Sequence, residues 1–501
     1  MKIFTAKQIR KADQFTIEHE PISSLDLMER AATNAFHWIQ KKFNTQTTFN
    51  VFCGMGNNGG DGLVIARLLN ESGYQVSVYE VKLGNRYSAD YLANKSRLQQ
   101  LDIHIQVLES EEAFGNIGNA HVTIDAILGS GLSKPVEGWC GALMEKLNQS
   151  VQPKIAIDIA SGLFAEDNDE NNGIIFQPDY TLTFEFPKLA FMFPENYQNV
   201  GELIVIPIGI SEEFVLHEST EYFTIEKFTA QLIHQSGSKF DYKGVYGHAF
   251  IAAGSLGKMG AAVLASKAAL KSGAGWVTTQ VPKCGVDILQ TAIPEVMVVP
   301  DAHDEYLTSH SHLNDTQTLG IGPGIGQDNA TKIALKNILD EAKSPVVIDA
   351  DALNICAEDE STLGTIPSKS ILTPHLGEWK RLHPKPSRGA FERLQQAKKF
   401  AMTQDVFVIL KGAHTAVICP DGEVFFNTTG NPGMASAGSG DVLTGILTGL
   451  LAQKYGPKQA AILGVYIHGL AGDLALHTES RESLTAMNII DHLGQAFKTI
   501  A

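Results

Sequence analysis

Residues 430–441 read Gly430-Asn431-Pro432-Gly433-Met434-Ala435-Ser436-Ala437-Gly438-Ser439-Gly440-Asp441, a stretch with four glycines and few side chains. Directly after it, apolar residues recur at 442/443, 446/447 and 450/451, the spacing of a buried helix face. A bare loop opening a helix offers unpaired N–H groups and the positive end of a dipole, which suits phosphate. Asp441 stands in that anion hole, where a fixed negative charge opposes phosphate binding. Its presence there points to a base that takes a proton from a hydroxyl attacking a phosphoryl group. The plain alternative is a glycine cap running into an ordinary N-capped helix, although such a cap needs a single glycine.

The first half carries a second candidate. After the β-rich run Thr48–Cys53 comes Gly54-Met55-Gly56-Asn57-Asn58-Gly59-Gly60-Asp61-Gly62, a formal G-x-G-x-x-G loop. Glu80 follows at the end of the next strand, about 20 residues on, where a dinucleotide fold places its ribose-binding acid. Alone, this suggests an NAD(P)-dependent dehydrogenase. Asn57, Asn58 and Asp61 argue otherwise, because a Rossmann turn presents backbone rather than crowded polar side chains. Two later strands also end in acids: Asp125 precedes Gly129-Ser130-Gly131, and Asp158 precedes Ser161-Gly162. In an open parallel sheet, loops at strand C-termini converge on one crevice. Oxygens from Asn58, Asp125 and Ser161 could hold a monovalent cation or Mg²⁺ there. Each acid could equally cap the helix that follows its strand.

The elements that must position these residues alternate in type. Thr48–Cys53, Tyr74–Tyr79, His121–Leu128, Lys154–Ile159 and Leu203–Ile208 read as strands, and Leu63–Leu69 as helix. The pattern lapses between Ile210 and about Phe240, which places a boundary near 220 and domains at 1–218 and 219–501. It restarts with strand Ala249–Ala253, helix Gly260–Lys271, and strands Trp276–Val281, Pro345–Asp349, Ile371–Thr373 and Val406–Leu410. Val417–Ile418 and Val424–Phe426 flank a hairpin turn at Pro420-Asp421-Gly422-Glu423. The expected fold class is α/β, with two tandem three-layer α/β domains.

Bulk properties agree. At 501 residues the chain exceeds one ordinary core, and 44% hydrophobic with 19% charged residues describes a globular protein. A net charge of −16 argues against nucleic acid or an anionic membrane as partner. Five scattered cysteines without CxxC spacing suggest neither disulfides nor zinc. The N-terminus lacks the apolar core of a signal peptide, and no run of about 18 apolar residues appears. A cytoplasmic location, small-molecule substrates and a homo-oligomer are expected.

The segments Asn57-Asn58-Gly59-Gly60-Asp61-Gly62, Asp125-Ala126-Ile127-Leu128-Gly129-Ser130-Gly131 and Asp158-Ile159-Ala160-Ser161-Gly162 resemble the NAD(P)H-hydrate epimerase family, over residues 1 to about 215. The resemblance implies a Rossmann-like domain in which Asn57–Asp61 and Gly129-Ser130-Gly131-Leu132-Ser133-Lys134-Pro135 contact the dinucleotide. It also implies potassium on Asn58, Asp125 and Ser161, with Asp158 meeting the reacting ring. Family members usually carry proline where this chain has Ala160.

The second half carries Lys243-Gly244-Val245-Tyr246-Gly247-His248, Gly254-Ser255, Gly320-Ile321-Gly322-Pro323-Gly324-Ile325-Gly326 and Asp349-Ala350-Asp351-Ala352-Leu353-Asn354. Thr373-Pro374-His375-Leu376-Gly377-Glu378, Lys411-Gly412 and the loop 430–441 follow. From about 225 to 501 this resembles the ribokinase-like superfamily, and within it the ADP- or ATP-dependent NAD(P)H-hydrate dehydratases. The resemblance implies a hydrate site lined by Gly324 and by His375, Leu376, Gly377, Glu378, Trp379, Lys380 and Arg381. Lys411-Gly412-Ala413-His414-Thr415 and Asn431–Gly440 would hold the nucleotide with Mg²⁺, and Asp441 would be the catalytic base. His375 stands where many members have asparagine. Trp276 and Trp379 read as packing residues, and His468 and His477 as core or capping residues of a C-terminal helix.

Together the halves imply a bifunctional repair enzyme that epimerises R and S hydrates of NADH or NADPH. It would dehydrate the S form at the expense of ADP, giving AMP and phosphate. The rival readings are a ribokinase-type small-molecule kinase with a regulatory N-terminal domain, and an N-terminal half that senses dinucleotide or binds protein without turnover.

Overall fold

The structure is a computed structural model that describes residues 1–309 and 317–501. Its contacts divide the chain into two compact units. One comprises Lys2–Thr220 with Arg388–Arg393, the other Met1, Glu221–Ser387 and Leu394–Ala501. Among the described residues, no helix is long and apolar enough to cross a membrane.

The N-terminal unit is built on a wholly parallel sheet. Its order is Ile105–Leu108, Gln75–Val81, Thr48–Cys53, Val122–Ala126, Lys154–Ile157, Tyr180–Phe184, Glu202–Ile206. The winding reverses between Thr48–Cys53 and Val122–Ala126, so the loops leaving these two strands open a crevice at the switch point. Both strands are buried along almost their whole length, as a sheet covered on both faces requires. Helices Ser24–Lys42 and Asn57–Glu71 pack on one of those faces, with Leu27, Ala31, Ala35, Leu63 and Val64 in a common core.

The helix after Thr48–Cys53 begins at Asn57, so most of the expected glycine loop is helix. Gly59 and Gly62 let that helix press on the sheet. A Cβ on Gly59 would lie 1.9 Å from the Gly54 carbonyl oxygen, and one on Gly62 2.6 Å from Ala126 Cβ. Glu80, the expected ribose acid, accepts hydrogen bonds from Tyr87 Oη and Tyr91 Oη, both at 2.7 Å, and from Lys95. It is committed to the fold, which removes the dehydrogenase reading.

The C-terminal unit carries a second sheet. From Tyr222–Ile225 the order runs through Val424–Asn427, Ala416–Ile418, Phe407–Leu410, Ile371–Leu372, Val347–Ile348, Gln317–Ile321, His248–Ala252, Trp276–Val281 and Met297–Pro300. It is parallel except where the hairpin Ala416–Ile418/Val424–Asn427 meets Phe407–Leu410. The segment read as a lapse holds helix Glu212–His217, strand Tyr222–Ile225 and helix Lys227–Ile233, elements too short to show a clear period. Helices Met259–Lys271 and Ser439–Ala452 cross closely, because a Cβ on Gly445 would lie 2.1 Å from the Ala265 carbonyl oxygen.

Candidate functional sites

In the N-terminal unit a cavity of about 1030 Å³ opens at the switch point. Asn57, Asn58 and Asp61 line it from the helix Asn57–Glu71, and Ile127–Leu132 from the loop after Val122–Ala126. Asp158 and Phe184–Phe186 close its floor, with Ile9, Arg10 and Asp13 on one wall. Of the predicted dinucleotide contacts, Gly59 and Gly60 are buried in packing, Gly60 against Met28. Ser133, Lys134 and Pro135 lie outside the lining.

Asn58 and Ser161 meet the Leu128 backbone, and Asp125 meets Ser161 and the Ile127 backbone. Asn58 Nδ2 donates to Leu128 O at 3.0 Å, and Leu128 N–H donates to Ser161 Oγ at 2.8 Å. Ser161 Oγ donates to Asp125 Oδ1 at 2.6 Å, and the Ser161 and Ile127 N–H groups also donate to the Asp125 carboxylate. Burial pushes Asp125 up to about 6 against these hydrogen bonds. Asn58 Oδ1 is buried without a hydrogen-bond partner. An orphaned amide oxygen beside a buried carboxylate fits a singly charged, oxygen-ligated cation. Ala160, in place of the usual proline, leaves the turn intact, with Leu163 N–H donating to Ala160 O at 3.1 Å.

Asp158 adopts a left-handed backbone, φ 65°, unusual for a non-glycine residue and of the kind found at functional sites. Its N–H donates to Leu182 O at 2.8 Å, and its Oδ1 accepts from Lys188 Nζ. Lys188 is buried and also donates to Thr183 Oγ1 at 2.7 Å and Phe186 O at 3.2 Å. Neither Lys188 nor Asp13 stands in a motif. Lys188 is visible in sequence only as a lysine inside an apolar run, and Asp13 only as an acid on the cavity-facing stripe of Ala6–His19.

In the C-terminal unit a cleft of about 380 Å³ is lined by Gly257, Lys258, Gly260, Ala261, Gly324, Ala350, Asp351, Asn354, Glu378 and Asp441. The helix Ser439–Ala452 starts earlier than the apolar spacing predicts. Gly438 caps it in the left-handed region, φ 90°, so Asp441 falls in its first turn. Lys411 Nζ lies 2.8 Å from Asp349 Oδ1 and 3.7 Å from Glu378 Oε2, next to Gly440. Burial lowers the Lys411 pKa, but Asp349 and Glu378 outweigh it and hold the ammonium charged. Thr444 Oγ1 donates to Asp349 Oδ2 at 2.8 Å and fixes that carboxylate. Asp441 is pushed up to about 7 by burial, then by Asp349, with Lys411 pulling the other way.

The loop 430–438 is tied down by Asp473, which accepts from Gly430 N–H at 2.8 Å and Asn431 Nδ2 at 3.0 Å. Ser436 Oγ is buried without a partner, an open valence in the predicted nucleotide loop. His468, on helix Pro457–Ala475, reaches Ser439 Oγ at 3.2 Å, and burial drops it to about 4, so it is neutral. His477 lies past the end of that helix and is exposed. His375 caps helix Leu376–Leu382, its Nδ1 accepting from Gly377 N–H at 2.9 Å. Within that helix Trp379 is 2% exposed and stacks on His383, so it packs rather than lining the cleft. Arg381 donates to Asn354 at 2.8 Å, and Lys380 and Leu376 are exposed. Gly412 and Ala413 are exposed at the strand end, and Thr415 Oγ1 donates to Gly412 O at 2.9 Å. His414 Nδ1 meets Asn427 O at 3.1 Å.

Among the described residues, no three or more His, Cys, Asp or Glu side chains are grouped to hold a metal by themselves. A Mg²⁺ ion that arrives on a nucleotide needs only one or two protein carboxylates besides phosphate and water. Asp351 and Glu378, beside Asp441 in the cleft, fit that need.

Both halves of the chain match known proteins. Residues 24–190 match the family model of the YjeF-related protein N-terminus, and 249–495 match that of NAD(P)H-hydrate dehydratase. A bifunctional NAD(P)H-hydrate repair enzyme of Moorella thermoacetica is 36% identical, covering 100% of this chain and 97% of that one. One from Thermofilum pendens is 32% identical, again over 100% and 97%. The ADP/ATP-dependent NAD(P)H-hydrate dehydratase of Bacillus subtilis, co-crystallised with ATP and Mg²⁺, superposes with a TM-score of 0.51 at 28% identity. It covers 56% of this chain and 100% of its own. With two family models matched in succession along it and a relative matching along its whole length, the chain belongs to the family of bifunctional NAD(P)H-hydrate repair enzymes.

Proposed function

We propose that the C-terminal unit dehydrates the S hydrate of NADH or NADPH with ADP, and that the N-terminal unit interconverts the R and S hydrates. The observation that carries this reading is Asp441 in the first turn of a helix, facing the cleft, with Lys411 beside it. Hydroxide is a poor leaving group. Phosphate is a good one, so a kinase-type site serves an elimination.

In the proposed reaction the C6 hydroxyl of the hydrate gives its proton to Asp441 as its oxygen attacks the terminal phosphoryl group of ADP. AMP leaves, and loss of phosphate from C6 with a proton from C5 restores the dihydropyridine. The N–H groups of Gly438 and Gly440 and the Lys411 ammonium favour the charge that develops on the transferred group. When bound, Mg²⁺ would neutralise nucleotide phosphates against Asp351 and Glu378.

In the N-terminal cavity, the helix start at Asn57 and the Gly129–Leu132 loop are suited to the phosphates of the dinucleotide, with Asp158 at the ring. Asn58, Asp125 and Ser161 would hold K⁺, whose contribution is to brace the loop Ile127–Leu132. We assign epimerisation to the unit ending at Thr220 and dehydration to the unit beginning at Glu221. The test is Asp441→Asn: with ADP and Mg²⁺ it should form no NADH from the S hydrate while R and S still interconvert. A stable phosphorylated product from the wild-type protein would instead support a small-molecule kinase.

A further inference from the structure

The wall of the N-terminal cavity carries a carboxyl that no motif includes. Asp13 lies on helix Ala6–His19, whose Ile9, Arg10, Asp13 and Ile17 face the cavity at helical spacing. Its neighbours come from separate elements: Asp158 and Lys188 from the loops after two strands, and Asp61 from helix Asn57–Glu71. Arg10 is the charged neighbour on its own helix, and Asp90 stands behind Asp61.

These carboxyls are not equivalent. Asp158 is bonded to the buried Lys188 ammonium and accepts from Phe184 N–H at 3.3 Å. Asp13 is shaped by burial and by the repulsion of Asp158, with weaker relief from Lys188, and these push it up to about 7. Asp61 is driven well above the usual range by burial and the same two acids, but it is more deeply enclosed. One cavity is thus lined by an ammonium-paired carboxyl and by a carboxyl that burial and its acidic neighbour push up to about 7. Two carboxyls in such different surroundings, one bonded to an ammonium and one not, can divide the roles of base and acid.

We propose that Asp13 is a second catalytic residue of the N-terminal site, the proton donor that works opposite the Asp158 carboxylate. The inference rests on the reading of this unit as an epimerase of the C6 hydroxyl. In the hydrate, C6 bears both the hydroxyl and ring nitrogen N1. Asp158 takes the hydroxyl proton, the O–H pair forms the C=O bond, and the C6–N1 pair passes to N1, which receives the proton of Asp13. Rotation about C5–C6 presents the other face of the aldehyde. N1 then re-adds, returning its proton to Asp13 while the oxygen recovers the proton from Asp158. Nothing is oxidised or reduced, and both carboxyls end as they began.

The experiment follows interconversion of separated R and S hydrates by the full chain without ADP, as a function of pH. Asp13→Asn should lower kcat by about 100-fold or more, the range for loss of a general acid. Asp13→Glu should restore a large part of it. The wild-type kcat should fall as pH rises through about 7, where Asp13 loses its proton, and Asp13→Asn should lack that fall. Asp13→Asn running near the wild-type rate overturns the proposal. So does an inactive Asp13→Asn whose melting temperature is lowered and which Asp13→Glu does not rescue, because the role is then structural. A wild-type chain without any epimerisation overturns the epimerase reading itself, and the proposal with it.

Discussion

Asp441 stands in the first turn of helix Ser439–Ala452, and in the proposed site a carboxylate there opposes phosphate binding while serving as a base. Removing it should cost dehydration about 100-fold or more, the usual contribution of a general base. Because burial and Asp349 push Asp441 up to about 7 and the proposed base must be ionised, the dehydration rate should rise with pH through that value. A flat profile across neutrality, or an active Asp441→Asn, would reduce Asp441 to a helix cap. At the other site, Asp158→Ala should abolish epimerisation and leave S-specific dehydration intact, read as a conversion of racemic hydrate that halts at the S portion. The cation reading has its own residue-level test. Crystals grown in potassium should show anomalous density between Asn58, Asp125 and Ser161, with oxygen neighbours only. A water with hydrogen-bond geometry at Asn58 Oδ1 would defeat it.

Elements explain why these residues meet. The helix Ser439–Ala452 is buried along nearly all its length and approaches Met259–Lys271 through Gly445, so its N-terminus is held rigidly over the cleft. Gly445→Ala should therefore destabilise the C-terminal unit by about 1–3 kcal/mol, the usual cost of overpacking, measured as a lower denaturation midpoint. An unchanged midpoint would mean the helices separate without cost. Much of this arrangement is legible in the sequence. Asp125 and Asp158 stand at strand ends just before glycine-bearing loops, Asp441 stands just after one, and loops at strand ends converge in a parallel sheet. What is not legible depends on packing. Gly59 and Gly60 look like ligand contacts but are spent on helix–sheet and helix–helix approach. Trp379 sits among predicted substrate residues yet faces inward, because one helix must carry both site and core. Strands Tyr180–Phe184 and Gln317–Ile321 are short and give little periodic signal, so the sheets are wider than the apolar runs suggest. Lys188 and Asp13 come together only through tertiary folding, and no spacing reveals them.

At the scale of the whole molecule, two α/β units carry two chemistries that act on one substrate. A stereospecific dehydratase leaves half of a racemic hydrate untouched, and an epimerase on the same chain recovers it. The central claim is most directly tested by giving the purified full chain a racemic NADH hydrate with ADP, Mg²⁺ and K⁺, and following dihydronicotinamide absorbance. The account predicts complete return of that absorbance, with AMP and phosphate released in equal amounts. It would be contradicted if no absorbance returned, or if ADP were consumed while the hydrate accumulated as a stable phosphorylated compound.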